Sequence, residues 1–534
     1  MMRKALIAIL FWLWAAPAFA LVCPSVPNIF SNGTVADANQ MNANFTALLN
    51  CFNTNVANAG SNTNITAILG LSTPLGLTQG GTGSSAGSGN SLTITPTWGG
   101  YAATLQTKIG ETFDVKLAGA VGNGTALDGA AVQAAFTAAA VAGGTVDVPC
   151  GVYKITQNIA FTVPAGKRIT VRGDGADCVE MWFSGAYGLT ATYGDAYASY
   201  GEIGITWTTD QSGGTTANAL TNSHTSGGAN GLAGANNFYD VNYRGHDAYS
   251  GGTPTAYWGN GLSVNNVSNI NVFGGECTGP QANPNGICYS SAGTASSQSI
   301  VFNFFGTTIY YCNVGFFYGD YVEGVTMHTF NATGCAYGVN TTANNVALVD
   351  QLAIVNSQFN ATVCGVCINQ TMANAVQISN SLFIMPSNAT AIKLRGSLNN
   401  ITGNMITAAS TTGTIGIYLP ANGTSPAGNT ISDNTIVGFG TGVSIPASVS
   451  TAAYLRNNTL NTNTTDYAVG SGASVIIFDH AKRNLALILG CTAGLIGSEF
   501  LQADGSGGSY DATATSGAAD VVPIVCNGSN WKNH

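Results

Sequence analysis

From residue 261 to residue 443 a small residue followed by an apolar one returns at nearly constant intervals, and few folds can absorb such a pattern. The pairs are Gly261-Leu262, Gly286-Ile287, Gly315-Phe316, Gly338-Val339, Gly365-Val366, Ala391-Ile392, Gly416-Ile417 and Gly442-Val443, at steps of 25, 29, 23, 27, 26, 25 and 26. A fixed period of this size marks a repeat architecture, in which each unit buries its apolar face only by stacking on the next. Each unit is too short for a capped helical hairpin, and Val, Ile, Phe, Asn, Thr and Gly favour short strands joined by turns. The pattern predicts a stacked β-solenoid.

A second column supports the first. Asn356, Asn380, Asn404, Asn434 and Asn458 recur at steps of 24, 24, 30 and 24, which predicts amides stacked one strand spacing apart, each bonding the next. Only 7% of the 534 residues are charged, so Asn, Thr, Ser and backbone must wet the surface, and 69 glycines suit a fold built of turns. The net charge of -9 leaves no basic face for phosphates, which argues against nucleic-acid binding.

Met1 to Ala20 carries Arg3 and Lys4, an apolar run, and Ala18-Phe19-Ala20 as a small-x-small cleavage signal, so it reads as a secretory peptide. No later segment has the length of apolar sequence that a membrane span needs. Secretion to the periplasm, the cell surface or beyond makes the twelve cysteines intelligible as disulfides. The spacing suggests Cys150 with Cys178, Cys312 with Cys335, Cys23 with Cys51 and Cys491 with Cys526. Cys364-Gly-Val-Cys367 has redox-motif spacing but lies inside the repeat, without a following helix signal.

Five segments follow: 1–20 as the signal peptide, 21–71 as a helical segment, 72–108 as a Gly/Ser/Thr-rich linker, 109–470 as the coil and 471–534 as a β-rich module. Within the second, Thr34 to Asn55 reads as a helix whose Ala38, Met41, Phe45, Leu48 and Phe52 form a heptad seam, which invites self-association. Asp128 to Val141, with Val132 and Phe136, reads as an amphipathic helix covering the open end of the solenoid.

The run Phe113-Asp114-Val115-Lys116, Gly119 to Thr125, Asp128, Ala131 to Ala135, Gly143-Gly144-Thr145-Val146, Pro149, Gly151-Val152-Tyr153 and Arg172-Gly173-Asp174-Gly175 resembles the opening segment of the pectate-lyase-like superfamily, which includes polygalacturonase and rhamnogalacturonase relatives and phage tailspikes. The resemblance implies an all-β, right-handed parallel β-helix with carbohydrate as its ligand. It covers about 65 residues closely, and the polygalacturonase set of Asn-Thr-Asp, Asp-Asp, Gly-His-Gly and Arg-x-Lys does not follow it. The Pro74 to Gly83 segment and the ending Val522 to Trp531 are similar to flanking modules of phage-tail-like fibres, which implies a homotrimeric spike or adhesin.

In such a coil, residues one period apart become neighbours. Glu323 and Asp350, 27 apart, should stand side by side with Asp320 in the same turn, giving carboxylates at the spacing a retaining glycosidase needs. A second cluster, Asp240, Tyr243, Arg244, His246, Asp247 and Trp258, offers rings to stack on sugars and charges for hydroxyls or uronates. For a lyase, Arg244 would abstract the proton while a cation such as calcium, held by Asp240, Asp247 or Glu276, acidified it. The expectation is a secreted polysaccharide-binding β-helix, a lyase or glycoside hydrolase, with a non-catalytic trimeric fibre as the alternative.

Overall fold

A computed structural model describes residues 27–29, 37–55, 93–94, 103–104 and 112–533, the last with breaks at 195–196, 213–216, 225–233, 342–349, 361–364, 371–373, 421–427, 447–452, 471–472, 474, 484–489, 493–494, 496 and 506–519. The signal peptide, Cys23, Cys364 and nearly all of the 72–108 linker lie outside these residues. The chain forms two compact units, 1–92 and 93–534. In the first, a helix spans Ala38–Asn55 and leaves Met41, Phe45, Leu48 and Leu49 exposed at 46, 65, 45 and 60%. Among the described residues no helix is long and apolar enough to cross a membrane.

The second unit is a right-handed parallel β-helix of about 11 turns with three faces. The first face is a 12-stranded parallel sheet running from Ile159–Val163 to Thr465–Val469. The second face runs from Thr112–Asp114 to Val475–Arg483, and the third from Asn123–Leu127 to Thr459–Asn461. Strands Ser199–Thr209 and Asn236–Gly245 turn the corner between these two rows without a break. Side chains alternate inward and outward, so the core is a stack of Val, Ile, Leu, Phe and Tyr inside the coil.

The predicted column of small-apolar pairs is the first face, with two corrections. Leu262, Tyr289, Phe316, Val339, Ile368, Ile392, Ile417 and Val443 pair in sequence down the sheet. At two rungs the stacked pair is therefore Cys288-Tyr289 and Cys367-Ile368, two residues beyond Gly286-Ile287 and Gly365-Val366. The first member must be small because it faces the third face across the corner: a Cβ on Gly338 would sit 2.6 Å from the Phe359 ring of the next rung.

The asparagine column is also two columns. Asn356 and Asn380 are exposed corner residues with φ of 51° and 49°, in line with Gly403 and Asp433 at 67° and 58°. The buried ladder is Ser357, Ser381, Asn404, Asn434 and Asn458, one position later at the first two rungs. Ser381 Oγ accepts from Ser357 N, Asn404 Oδ1 from Ser381 N, Asn434 Oδ1 from Asn404 N, and Asn458 Oδ1 from Asn434 N, at 2.9–3.1 Å. An αL corner needs Asn, Asp or Gly, whereas the ladder needs a side chain that both accepts and donates.

Among the described residues, one carboxylate lies inside the coil. Glu202 is wholly buried, takes hydrogen bonds from Tyr200 Oη at 2.7 Å and Trp207 Nε1 at 2.8 Å, and burial lifts its pKa from 4.5 to about 7 against those two bonds. Because the folded value lies above the unfolded one, its contribution is complete below pH 4.5 and is lost as the pH rises to about 7. Between pH 4 and 8, urea midpoints should show the wild type losing about 3 kcal/mol that Glu202→Gln keeps. Parallel curves for the two proteins would refute this.

Each end of the coil carries an added element. Helix Gly129–Ala142 buries Val132, Ala135, Phe136 and Ala139 against the first strands, and the Asp128 carboxylate holds Val121 N and Gly122 N at 2.7 and 3.1 Å. At the other end Glu499–Gly505 adds in parallel to the last strand of the second face, then Asp520–Cys526 and Trp531–Asn533 pair antiparallel beyond it. Cys150–Cys178 and Cys491–Cys526 are bonded. Cys335 lies one rung beyond Cys312, with Ala336 N bonded to Cys312 O, but the sulfur of Cys312 faces Cys288 instead.

Candidate functional site

The third face gathers charge near its N-terminal end. Val179–Phe183 turns Met181 and Phe183 into the core and sets Glu180 and Trp182 on the outer side. Strand pairing stacks Lys154, Trp182, Thr208 and Arg244 in one outward column. Strand Asn236–Gly245 then ends at a glycine whose added Cβ would collide with Asp247 and the Ala256 carbonyl, and a one-turn helix His246–Tyr249 follows it. The Asp247 carboxylate secures that turn, accepting from Ala248 N, Thr255 N, Thr255 Oγ1 and Ala256 N at 2.6–3.0 Å. Burial raises its pKa, but the bonds from Thr255, Ala256 and Ala248 outweigh that and hold it below the ordinary value.

His246 comes down onto Glu180. Its Nδ1 lies 2.7 Å from Glu180 Oε1, which also accepts Thr208 Oγ1 at 2.6 Å, and Glu180 is only 1% exposed. The imidazole stacks on Trp182 at 3.9 Å and 4°, and Lys154 Nζ lies 4.4 Å from the same ring's centroid. Arg244 stands 5.6 Å from the Tyr249 ring, whose hydroxyl donates to Asp177 O at 3.2 Å. Burial, then Glu180, raise the Tyr249 pKa, so it stays a neutral donor. Trp182 Nε1 and Arg244 Nε are buried with no acceptor among the described residues. The unanswered Trp182 and Arg244 donors, the charges of Lys154 and that same Arg244, and an imidazole with Nδ1 engaged are chemistry that could hold an anion carrying hydroxyls.

Of the second predicted cluster, His246 and Arg244 meet here. Asp240 is an exposed corner residue with φ 51°, and Asp247 is engaged by its own turn. Tyr243 and Trp258 are corrected: at 1 and 3% exposure they point inward, Tyr243 edge-on to Tyr289 and Trp258 Nε1 donating to Trp207 O. Tyr243 follows the outward Asn242 and precedes the outward Arg244, so alternation sends it inside. Asp240, Asp247 and Glu276 do not fit a calcium site: Asp247 already takes four hydrogen bonds, Glu276 Oε1 takes Thr278 Oγ1, and among the described residues they form no ligand cluster.

Glu323 and Asp350 are adjacent in register on the second face, with Asp320 exposed at the corner before them. They lie three and four rungs from the His246 turn and on a different face, so the two predicted clusters do not form one site. The second face also carries Tyr239, Phe273, Phe305 and His328 as a ladder with centroids 4.6, 5.0 and 5.6 Å apart and planes within 10°. These rings cover one another's faces, so the ladder stiffens the coil rather than offering a sugar platform.

No family model matches the chain, and no curated protein does. Among solved structures, the A-module of mannuronan C-5 epimerase AlgE4 from Azotobacter vinelandii is similar at a TM-score of 0.46 and 17% identity, over 68% of this chain and 99% of that one. The Dettilon tailspike protein is similar at 0.44 and 13%, over 80% and 78%. DFA-IIIase from Arthrobacter chlorophenolicus A6 is similar at 0.41 and 10%, over 71% and 97%.

Proposed function

We propose that this chain is an exported protein that binds an acidic polysaccharide across its third face and cleaves it by elimination, with His246 as the base. The observation that carries this reading is the His246 imidazole, seated through Nδ1 on the buried Glu180 and flanked by Lys154 and Arg244. The cations would neutralise a uronate carboxylate, which makes the neighbouring ring proton removable. His246 Nε2 would take that proton, the electron pair of the broken C–H bond would form the double bond as the glycosidic C–O bond breaks, and the leaving oxygen would take a proton from water. Hydrolysis of the usual kind needs two carboxyl groups flanking the bond, and the two at this site are otherwise engaged, Glu180 by His246 and Thr208 and Asp247 by its own turn. The Cys150–Cys178 and Cys491–Cys526 disulfides support export.

A panel of anionic and neutral polysaccharides, assayed for binding, reducing ends and unsaturated uronate, tests it. Anionic chains should bind preferentially, and Lys154→Ala or Arg244→Ala should each weaken binding about tenfold. Equal binding of neutral chains would overturn the assignment. Glu323→Gln and Asp350→Asn should leave product release unchanged; a loss would move the active centre to the second face and make it a hydrolase pair.

The exposed Met41, Phe45, Leu48 and Leu49 favour a second reading, a trimeric adhesive fibre. On that reading the mature protein sediments as a trimer and falls to a monomer when residues 21–75 are removed. A monomer in both forms would count against it.

A further inference from the structure

We propose that Cys277, Cys288 and Cys312 form a partner-swapping disulfide: one bond and one thiol shared among three sulfurs. Cys277 lies in strand Glu276–Thr278 of the third face, Cys288 in strand Ile287–Ala292 of the first face on the same rung, and Cys312 on the next rung, at the corner between Thr308–Tyr310 and Val314–Tyr318. Their exposures are 5, 1 and 1%. The three sulfurs all lie within 4.8 Å of one another, and the Cα separations from Cys288 are 5.7 Å to Cys277 and 6.6 Å to Cys312, both inside the span a disulfide bridges. A sulfur makes only one such bond, so a thiol is left beside a disulfide that it can attack.

The exchange balances within the trio. The Cys312 thiol gives up its proton and attacks Sγ of Cys288, the bond to Cys277 breaks, and Cys277 leaves as a thiolate that takes up a proton. Nothing is oxidised or reduced overall. Neither linkage dominates on chain entropy, since closing sequence separations of 11 and 24 residues differs by only about threefold in equilibrium. Three thiolates on a divalent metal would bury a net negative charge of about one beside Tyr257 and Trp258, whereas a disulfide with a neutral thiol buries none.

The swap changes what is tied together. Cys277–Cys288 closes the turn 279–286 within one rung, and Cys288–Cys312 frees that turn while fastening two rungs. The turn rests on the loop after His246, through Asn285 Nδ2 to Tyr257 Oη at 2.9 Å and Gln281 N to Pro254 O at 3.1 Å.

The full chain, purified in air, is quenched in acid, denatured, alkylated with N-ethylmaleimide at mildly acidic pH, cut with chymotrypsin and mapped by mass. Both linkages should appear, in amounts within about tenfold of each other, with one alkylated sulfur shared between Cys277 and Cys312. Cys312→Ser should leave only Cys277–Cys288, and Cys277→Ser only Cys288–Cys312. A single linkage in the wild type, three alkylated sulfurs, or a stoichiometric metal by elemental analysis would overturn the proposal without reliance on any variant.

Discussion

His246→Ala should lower the rate of polysaccharide cleavage about a thousandfold, roughly 4 kcal/mol of barrier, while the protein still binds the chain. The imidazole is one of several groups in the site, so binding persists on Lys154, Arg244 and Trp182, and the loss appears in kcat rather than KM. Glu180 acts through His246. Glu180→Gln retains the shape but can present its amide nitrogen to the ring, so the loss should be smaller, about tenfold to a hundredfold, with an altered pH profile. Unchanged cleavage by His246→Ala would remove the base from this face. Loss of binding along with cleavage would make the His246 turn a recognition element and return the chemistry to Glu323 and Asp350.

The largest effect on stability is expected at Asn434. Its Oδ1 accepts from Asn404 N and Asn404 Nδ2, and its Nδ2 donates to Ile401 O and Asn458 Oδ1, all at 2.9–3.0 Å and at 1% exposure. Asn434→Ala strands the backbone N–H of Asn404 and the carbonyl of Ile401 in the core. At 1–3 kcal/mol for each buried polar group left without a partner, about 4 kcal/mol should be lost. Asn380→Ala removes an exposed corner side chain and should cost only about 1 kcal/mol, the price of a left-handed alanine. Urea midpoints compare the two. Equal losses would mean that the ladder and the corner are not separate columns.

That contrast shows how far the fold was legible in the residues. Period and composition suffice for a stack of short parallel strands, because each rung solves the same packing problem as its neighbours. They do not resolve position within the rung, since an αL corner and a buried amide ladder both select asparagine one residue apart. Hence Asn380 and Asn434 looked equivalent, and Gly286 and Gly365 looked like members of a column that Cys288 and Cys367 occupy.

The site was less legible. Glu323 and Asp350 could be paired because they fall in the regular part of the coil. Glu180 and His246 are 66 residues apart, across rungs of unequal length, so no fixed step relates them. Lys154 and Trp182 carried no motif of their own. A pointer existed in Val179-Glu180-Met181-Trp182-Phe183, where a strand pattern places a carboxylate and an indole together on the outer side. Tyr243 misled because aromatic residues serve core and sugar alike, and only alternation against Arg244 separates the two uses.

The capped first rungs of the coil have a further consequence. A strand stack with an open terminus can lengthen by recruiting another copy end to end, and here helix Gly129–Ala142 packs across the first strands and hinders that route. On the proposed function, a copy docking on the third face instead would compete with the glycan for Lys154 and Arg244.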